Sequence, residues 1–420
     1  MTETSRTLHR QAALVAGKPA PHIPPRRLPA HRIADDAEAV AVARDLAAAF
    51  APGATERDRT RRLPIAEIER ASEAGLLAIT IPKEFGGAGV SAATLAEVTA
   101  ILSAADSNIG QIPQNHYYMI EALRLSGSEA QKRHYFDRVL QGDRLGNAFT
   151  EIGTRKPVDF KTRISSRDGQ LFVTGQKFYS TGSLFAHIIA VVATGEDGRT
   201  KIAFIDRSTP GLTLVDDWTG FGQRSTGSGT VTFDEVEITP LQIIDHQANF
   251  ETPTRMGSFA QIMHAAIQVG IARGALEETR AFVRAHARPY FELDIQHGYE
   301  DPHTIHAVGE IAIRVHAAEA LLARAGGYVE AALREPTAES VASASIAVAE
   351  VKAYGTEAAL QASSKLIELS GSRSTLEAYD LDRYWRNART HSVHDPARWK
   401  YHHIGNFYLN GILPPRHGAL

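Results

Sequence analysis

Two runs, Leu145-Gly-Asn-Ala-Phe-Thr-Glu-Ile-Gly153 and Phe172-Val-Thr-Gly-Gln-Lys-Phe-Tyr-Ser-Thr-Gly-Ser183, decide how the rest of the chain is read. Each is a short strand-like run that ends in small hydroxyl or glycine residues, at Thr150 and at Ser180, Thr181 and Gly182. Strand ends with free N–H groups and hydroxyls suit a flat, polar-edged ring that needs several hydrogen bonds in one plane. Phe149 and Tyr179 lie beside those groups and offer a stacking face. By itself the pattern is equally that of an ordinary strand pair with turn-forming ends. The surrounding chain decides between the two.

Working outward, residues 146 to about 245 are rich in Thr, Val, Ile, Phe and recurrent Gly, without helical periodicity. Leu171–Thr174, His187–Thr194, Ile202–Ile205 and Gly229–Ile238 read as strands, and Val231 and Phe233 alternate with Thr230 and Thr232. Both flanks are helical. On the N-terminal side, alanine-rich periodicity runs through Ala37–Phe50, Pro64–Leu77, Ala92–Ala105, Tyr117–Leu125 and Ser128–Leu140. On the C-terminal side, Phe259, Ile262, Met263, Ala266 and Gly270 start a helical pattern that continues through Ile305–Tyr328 and Ser340–Leu369. Small residues on long helices allow close backbone approach, as in a four-helix bundle.

The expected fold class is α+β: a helical domain over 31–145, a middle antiparallel β domain over 146–245 and a C-terminal four-helix bundle over 246–420. Residues 1–30, with Pro19, Pro21, Pro24 and Pro25, read as a flexible arm. The loop Ile81–Gly89 is dense in glycine but lacks the lysine and spacing of a phosphate-binding loop, so it reads as a structural turn.

Composition narrows the function classes. The 420 residues carry a net charge of −3, with 43% hydrophobic and 22% charged residues, which gives no drive toward nucleic acid or an anionic membrane. The absence of cysteine excludes disulfides, thiolate metal sites and a cysteine nucleophile. The longest apolar run, Ile188–Ala193, is a buried strand and not a membrane span. No secretory signal is read at the N-terminus, and the expected location is cytoplasmic.

This order of helical, β and helical segments, with its loops, resembles the acyl-CoA dehydrogenase superfamily of flavoproteins. The likeness rests on Ile81–Gly89, Ala148-Phe-Thr-Glu151, Gly175–Gly182, Gly222–Ser228, Arg288-Pro-Tyr-Phe291 and Glu368-Leu-Ser-Gly-Ser372. Within it, Pro113–Tyr118, Asn147–Gly153 and Arg386–Pro396 are similar to the SfnB-type sulfur-acquisition oxidoreductases and to dibenzothiophene monooxygenase-like flavin monooxygenases. The resemblance implies a reduced-flavin-dependent monooxygenase acting on a small organosulfur compound such as a sulfone or sulfonate. It further implies FMN, with FAD as the alternative cofactor, a separate flavin reductase as partner, and a homotetramer. Cofactor contacts implied by the motifs are Asn147, Phe149, Thr150, Tyr179, Ser180 and Thr181, with Arg288, Phe291, Glu368, Leu369, Gly371 and Ser372 serving a neighbouring subunit's flavin.

Catalytic candidates are His391, His394, Asp395, His116, Ser180 and Thr181. A histidine titrates near neutrality and can move a proton or orient a substrate. His391 and His394 flank the family's catalytic segment. In a dehydrogenase that segment supplies a glutamate base, and here Asp395 falls opposite it. Aspartate is one methylene shorter, and a base must come within roughly 3 Å of its proton. A second reading, an acyl-CoA dehydrogenase using Asp395, is weakened on that ground; a third is a flavin- or acyl-binding protein without catalysis. A metal at His391 and His394, which a helix would place on one face, is disfavoured by Pro396 and the lack of a third ligand, so no metal is assigned.

Overall fold

A computed structural model describes residues 17–24, 29–155 and 159–420. By its contacts the chain divides into two compact units. The first combines the N-terminal residues with Arg144–Thr219 and Gly227–Ile244; the second comprises Arg26–Asp143, Gly220–Thr226 and Asp245–Leu420. The N- and C-terminal helical segments are therefore one unit, and the loop 220–226 is counted with them. Of the arm expected over 1–30, residues 1–16 and 25–28 lie outside the described residues.

The first unit is a nine-stranded sheet: β1 (Lys18–Pro19), β2 (Leu145–Ala148), β3 (Arg163–Arg167), β4 (Gln170–Lys177), β5 (Ile188–Thr194), β6 (Thr200–Asp206), β7 (Leu212–Asp216), β8 (Thr230–Ile238) and β9 (Ile243–Asp245). The strand order is β1-β7-β8-β4-β3-β5-β6-β9, with β2 beside β5. Most neighbours are antiparallel, as expected, but β2 pairs β5 in parallel from Leu145 with Ile188 to Ala148 with Val191. A parallel partner needs a long crossover, and here the β3–β4 hairpin supplies it. Part of the arm is not free: Lys18 and Pro19 pair with Asp216 and Val215, and Arg207 donates to the Pro21 carbonyl at 2.8 Å. The core is mostly aliphatic, built from Val173, Ile189, Val191, Ile205, Val231 and Val236 with the ring of Phe233.

The second unit begins with α1 (Asp36–Phe50), α2 (Ala54–Thr60), α3 (Ile65–Glu73), α4 (Ala92–Ala105), α5 (Ser107–Gln111), α6 (Gln114–Ser126) and α7 (Glu129–Leu140). It continues with α8 (Ala248–Glu251), α9 (Met256–His286), α10 (Pro302–Arg334), α11 (Ala338–Ser370), α12 (Arg383–Ser392) and α13 (Ala397–Asn410). Local chemistry starts these helices where expected. Ser128 and Gln131 close a capping box on α7, and Asp301 caps α10 ahead of Pro302. α9 is buried on nearly every side along its first half, from Met256 to Ala272, and packs against α4, α10 and α11, while α13 lies on α11. Glycine makes the crossings close: a Cβ on Gly270 would stand 2.5 Å from the Ala100 carbonyl oxygen, and one on Gly326 2.6 Å from the Ala93 Cα. The loop Ile81–Gly89 closes on itself, with Gly89 N donating to the Ile81 carbonyl at 2.9 Å, which fits the structural turn.

Candidate active site

In the β unit the two runs quoted first come together. Phe178 N donates to the Thr150 carbonyl at 2.8 Å, and Ser183 Oγ to the Asn147 carbonyl at 2.5 Å. Beyond β4 the chain turns at Tyr179, whose φ of +55° lies in the left-handed region. A bulky residue there is strained, and such strain persists only where the surroundings over-determine it. Tyr179 is 51% exposed and meets Trp218 edge-on at 5.9 Å. Ser180 N donates to the Gly229 carbonyl at 3.0 Å, and the Thr181 and Ser228 hydroxyls lie 2.6 Å apart.

Two buried polar atoms on this ledge, Asn147 Oδ1 and Ser180 Oγ, have no hydrogen-bond partner among the described residues. Buried polar groups are rarely left so, because each carries a desolvation cost of about 1–3 kcal/mol. Together with the exposed Tyr179 ring, they fit a polar-edged aromatic group such as the isoalloxazine of FMN.

Behind the ledge, Lys177 is fully buried. Its Nζ donates to the Phe149 carbonyl at 3.0 Å and to Glu151 Oε1 at 2.8 Å, and stands 4.3 Å from the centre of the Phe160 ring. Glu151 accepts in turn from Lys161 N at 2.7 Å and Thr162 N at 3.0 Å. Burial pushes the Lys177 ammonium down to about 8 despite the opposing pull of Glu151.

The helical unit holds a second cluster. His391, near the end of α12, and His264, inside α9, are both buried; His391 Nε2 lies 3.3 Å from His264 Nδ1 and 3.2 Å from the His264 carbonyl oxygen. The His394 ring stacks 4.1 Å from that of His264. α12 ends at Ser392, so His394 is set by the following turn and not by a shared helix face. Asp395 is 2.8 Å from Lys400 Nζ, 3.5 Å from Lys352 Nζ and 3.5 Å from His394 Nδ1.

The charges around Asp395 revise its expected role. Burial alone would raise its carboxyl, but Lys352, His394 and Lys400 outweigh burial and hold it far below the usual carboxylate range. A carboxylate held that firmly as an ion between two lysines is a poor proton acceptor, which weighs further against the alternative reading of Asp395 as a dehydrogenase base. Burial, reinforced by Lys352 and the neighbouring imidazole rings, pushes His264 and His391 well below their ordinary value, so both are neutral at pH 7. His391 Nδ1 is buried without a partner. If Nε2 carries the hydrogen donated to the His264 carbonyl, Nδ1 presents a free lone pair.

His116 is buried, with its Nε2 2.7 Å from the Leu77 carbonyl oxygen, an anchoring bond to the turn before Ile81. Arg288 and Phe291 follow the end of α9 and are exposed, Phe291 by 83%. Glu368, paired with Lys365 at 2.6 Å, Leu369, Gly371 and Ser372 form the end of α11 and its turn, where Gly371 has φ +71°. The contacts of Phe282 with Leu366, Leu381 and Tyr379 gather both segments at one end of the bundle.

Sequence reasoning missed His264, Lys352, Lys400 and Ser228. The first two had a signal: each is a lone polar or charged residue within an apolar helical run, buried at 4% and 0% exposure. Ser228 ends the quoted motif Gly222–Ser228 without being singled out, and Lys400 had no signal.

The chain matches three domain descriptions of one family: acyl-CoA dehydrogenase, N-terminal domain over residues 34–143, middle domain over 147–236, and C-terminal domain over 262–399. A dibenzothiophene monooxygenase of Rhodococcus erythropolis is 34% identical over 400 residues, covering 91% of this chain and 96% of that protein. The crystal structure of FMN-bound TdsC from Paenibacillus sp. A11-2 superposes with a TM-score of 0.86 at 30% identity, covering 91% of this chain and all of the other. Methanesulfinate monooxygenase MsuC from Pseudomonas fluorescens gives 0.84 at 30% identity, covering 91% and 99%.

Proposed function

The chain belongs to the acyl-CoA dehydrogenase family, and from that premise we propose that it is an FMN-dependent monooxygenase acting on a small organosulfur compound in sulfur acquisition. Relatives in sequence and structure, named for dibenzothiophene and methanesulfinate, support an organosulfur substrate, and the FMN-bound neighbour supports FMN over FAD. The observation that carries the choice against dehydrogenation is Asp395, paired with Lys352 and Lys400 and so unavailable as a base.

Reduced FMN, when bound, supplies the electrons that activate dioxygen for transfer of one oxygen atom to sulfur. The chain's own residues hold and shield it. The ledge of Asn147, Phe149, Thr150, Tyr179, Ser180 and Thr181 would seat the ring, with Asn147 Oδ1 and Ser180 Oγ taking up its edge hydrogen bonds. Within the helical unit His391, neutral and with Nδ1 unpartnered among the described residues, is suited to accept and return a proton. Asp395 fixes His394, and His264 fixes His391. A separate reductase delivering reduced FMN, a cytoplasmic location and a homotetrameric assembly belong to the same reading; among the described residues no helix is long and apolar enough to cross a membrane.

The test supplies reduced FMN and oxygen with a panel of alkanesulfinates, sulfones and thioaromatic compounds, following oxygenated product by mass spectrometry. His391→Asn should remove turnover while FMN remains bound. Bleaching of oxidised flavin by an acyl-CoA thioester, abolished in Asp395→Asn, would overturn the reading in favour of a dehydrogenase.

A further inference from the structure

The buried Lys177 has no place in the chemistry above, yet burying an ammonium is costly unless its partners hold it to a purpose. All of its partners belong to two segments, Phe149–Glu151 and Phe160–Thr162. Nζ binds the Phe149 carbonyl and the Glu151 carboxylate and lies over the Phe160 ring, while Glu151 takes the main-chain N–H groups of Lys161 and Thr162. Among the described residues, other charged groups nearby are turned elsewhere. Lys161 directs its own ammonium to the Gly153 carbonyl, Arg163 on β3 is exposed, and β8 faces Lys177 with Val231.

We propose that Lys177 and Glu151 form a charged clasp that positions the Phe149–Thr150 peptide for the flavin, making Lys177 a positioning residue of the cofactor ledge. In a trans peptide the carbonyl and the N–H point in opposite directions. With the Phe149 carbonyl drawn inward onto Lys177, the N–H of Thr150 is aimed the other way, outward from the clasp. The Thr150 carbonyl is meanwhile fixed by Phe178 N. Both sides of Thr150 are thus set by groups that need not touch the cofactor. The inference rests on the reading that this ledge seats FMN.

The clasp has a pH signature that a packing role lacks. Because the folded protein holds Lys177 at about 8, against 10.5 for an ordinary lysine, the unfolded chain binds more protons between those values. Folding stability contributed by this group therefore rises as pH rises through that window. The ion pair moves in the opposite sense, since deprotonation removes its charge, so FMN affinity should fall above pH 8 while stability does not.

The experiment titrates the apoprotein with FMN by flavin fluorescence from pH 6.5 to 9.5, for wild type, Lys177→Met and Glu151→Gln, with thermal melts alongside. Wild type should lose several-fold affinity across pH 8. Lys177→Met should bind about tenfold more weakly at pH 7, the loss of roughly one charge-assisted hydrogen bond, and show no limb at pH 8 beyond that of FMN itself. Glu151→Gln should move the limb below pH 8, because Glu151 is what holds the Lys177 proton on. If Lys177→Met does not fold, the Glu151→Gln limb decides alone. A wild type that binds FMN with the same pH dependence as its variants overturns the clasp and leaves the monooxygenase reading standing. A wild type that binds no FMN at any pH overturns both.

Discussion

At the scale of single residues, the ledge separates hydroxyls that hold the protein together from those that do not. Ser180 Oγ has no partner, whereas the Thr181 hydroxyl is bonded to that of Ser228. Ser180→Ala removes no bond of the free protein, so melts should shift by less than about 0.5 kcal/mol. FMN affinity should fall about three- to tenfold, the value of one net hydrogen bond of about 0.5–1.5 kcal/mol. Thr181→Val should instead lower stability by about 1 kcal/mol. Parallel melts and flavin titrations test the contrast, and an unchanged affinity with unchanged peroxide release in Ser180→Ala would remove the chemical role given to its hydroxyl. That residues 145–183 form this ledge was legible, because strand ends carrying hydroxyls and glycine are a local pattern. Which hydroxyl was already taken was not legible, since Ser228 arrives from the loop before β8, far along the chain.

At the scale of elements, helices were the most readable part. Alanine periodicity and caps are local, and Ala92–Ala105 was read to its bounds. What joins them was not readable, as buried ion pairs draw partners from distant segments. Glu121 on α6 accepts from Arg255 Nε at 2.8 Å, just before α9, and from Arg124 Nε at 2.7 Å. Arg255 also pairs at 3.1 Å with Glu330 on α10, whose carboxylate caps Ala92 N of α4 at 2.7 Å. Burial would raise Glu121, but the two arginines override it and hold the carboxyl at about 2. Its folded value is thus depressed from 4.5, so its stabilisation, a few kcal/mol by order of magnitude, is fully present above about pH 4.5 and lost as pH falls toward 2. Glu121→Gln should cost about 3 kcal/mol at pH 7, because it leaves the buried Arg255 with Glu330 alone, and should flatten the acid limb. Urea unfolding at pH 7 and pH 3 reads both. A variant as stable as wild type at pH 7 would mean that water takes over from Glu121. The same distance effect hid the surroundings of Asp395. Its position was found from the neighbouring motif, but Lys352, 3.5 Å from it, lies on α11.

At the scale of the whole molecule, one group of implied cofactor residues lies together at the surface of the helical unit. Arg288, Tyr290 and Phe291 project beyond α9, and Gly371 and Ser372 beyond α11, all exposed at one end of the bundle. Exposed aromatic residues beside an arginine suit a surface completed by a second copy, and the proposal to test is that Arg288 meets the phosphate of that copy's FMN. An arginine–phosphate contact is charge-assisted and worth about 1.5–3 kcal/mol, so Arg288→Ala should weaken FMN roughly ten- to a hundredfold. Riboflavin, lacking the phosphate, should bind variant and wild type alike. Whether the contact crosses subunits is settled by mixing. A second variant, Ser180→Trp, blocks the ledge but keeps Arg288. Oligomers formed from Arg288→Ala and Ser180→Trp chains would contain sites with an intact ledge from one chain and an intact arginine from the other. Those sites should bind FMN at wild-type affinity although neither parent does. Hybrids that bind no tighter than the Arg288→Ala parent would place Arg288 in its own chain's site, or in none.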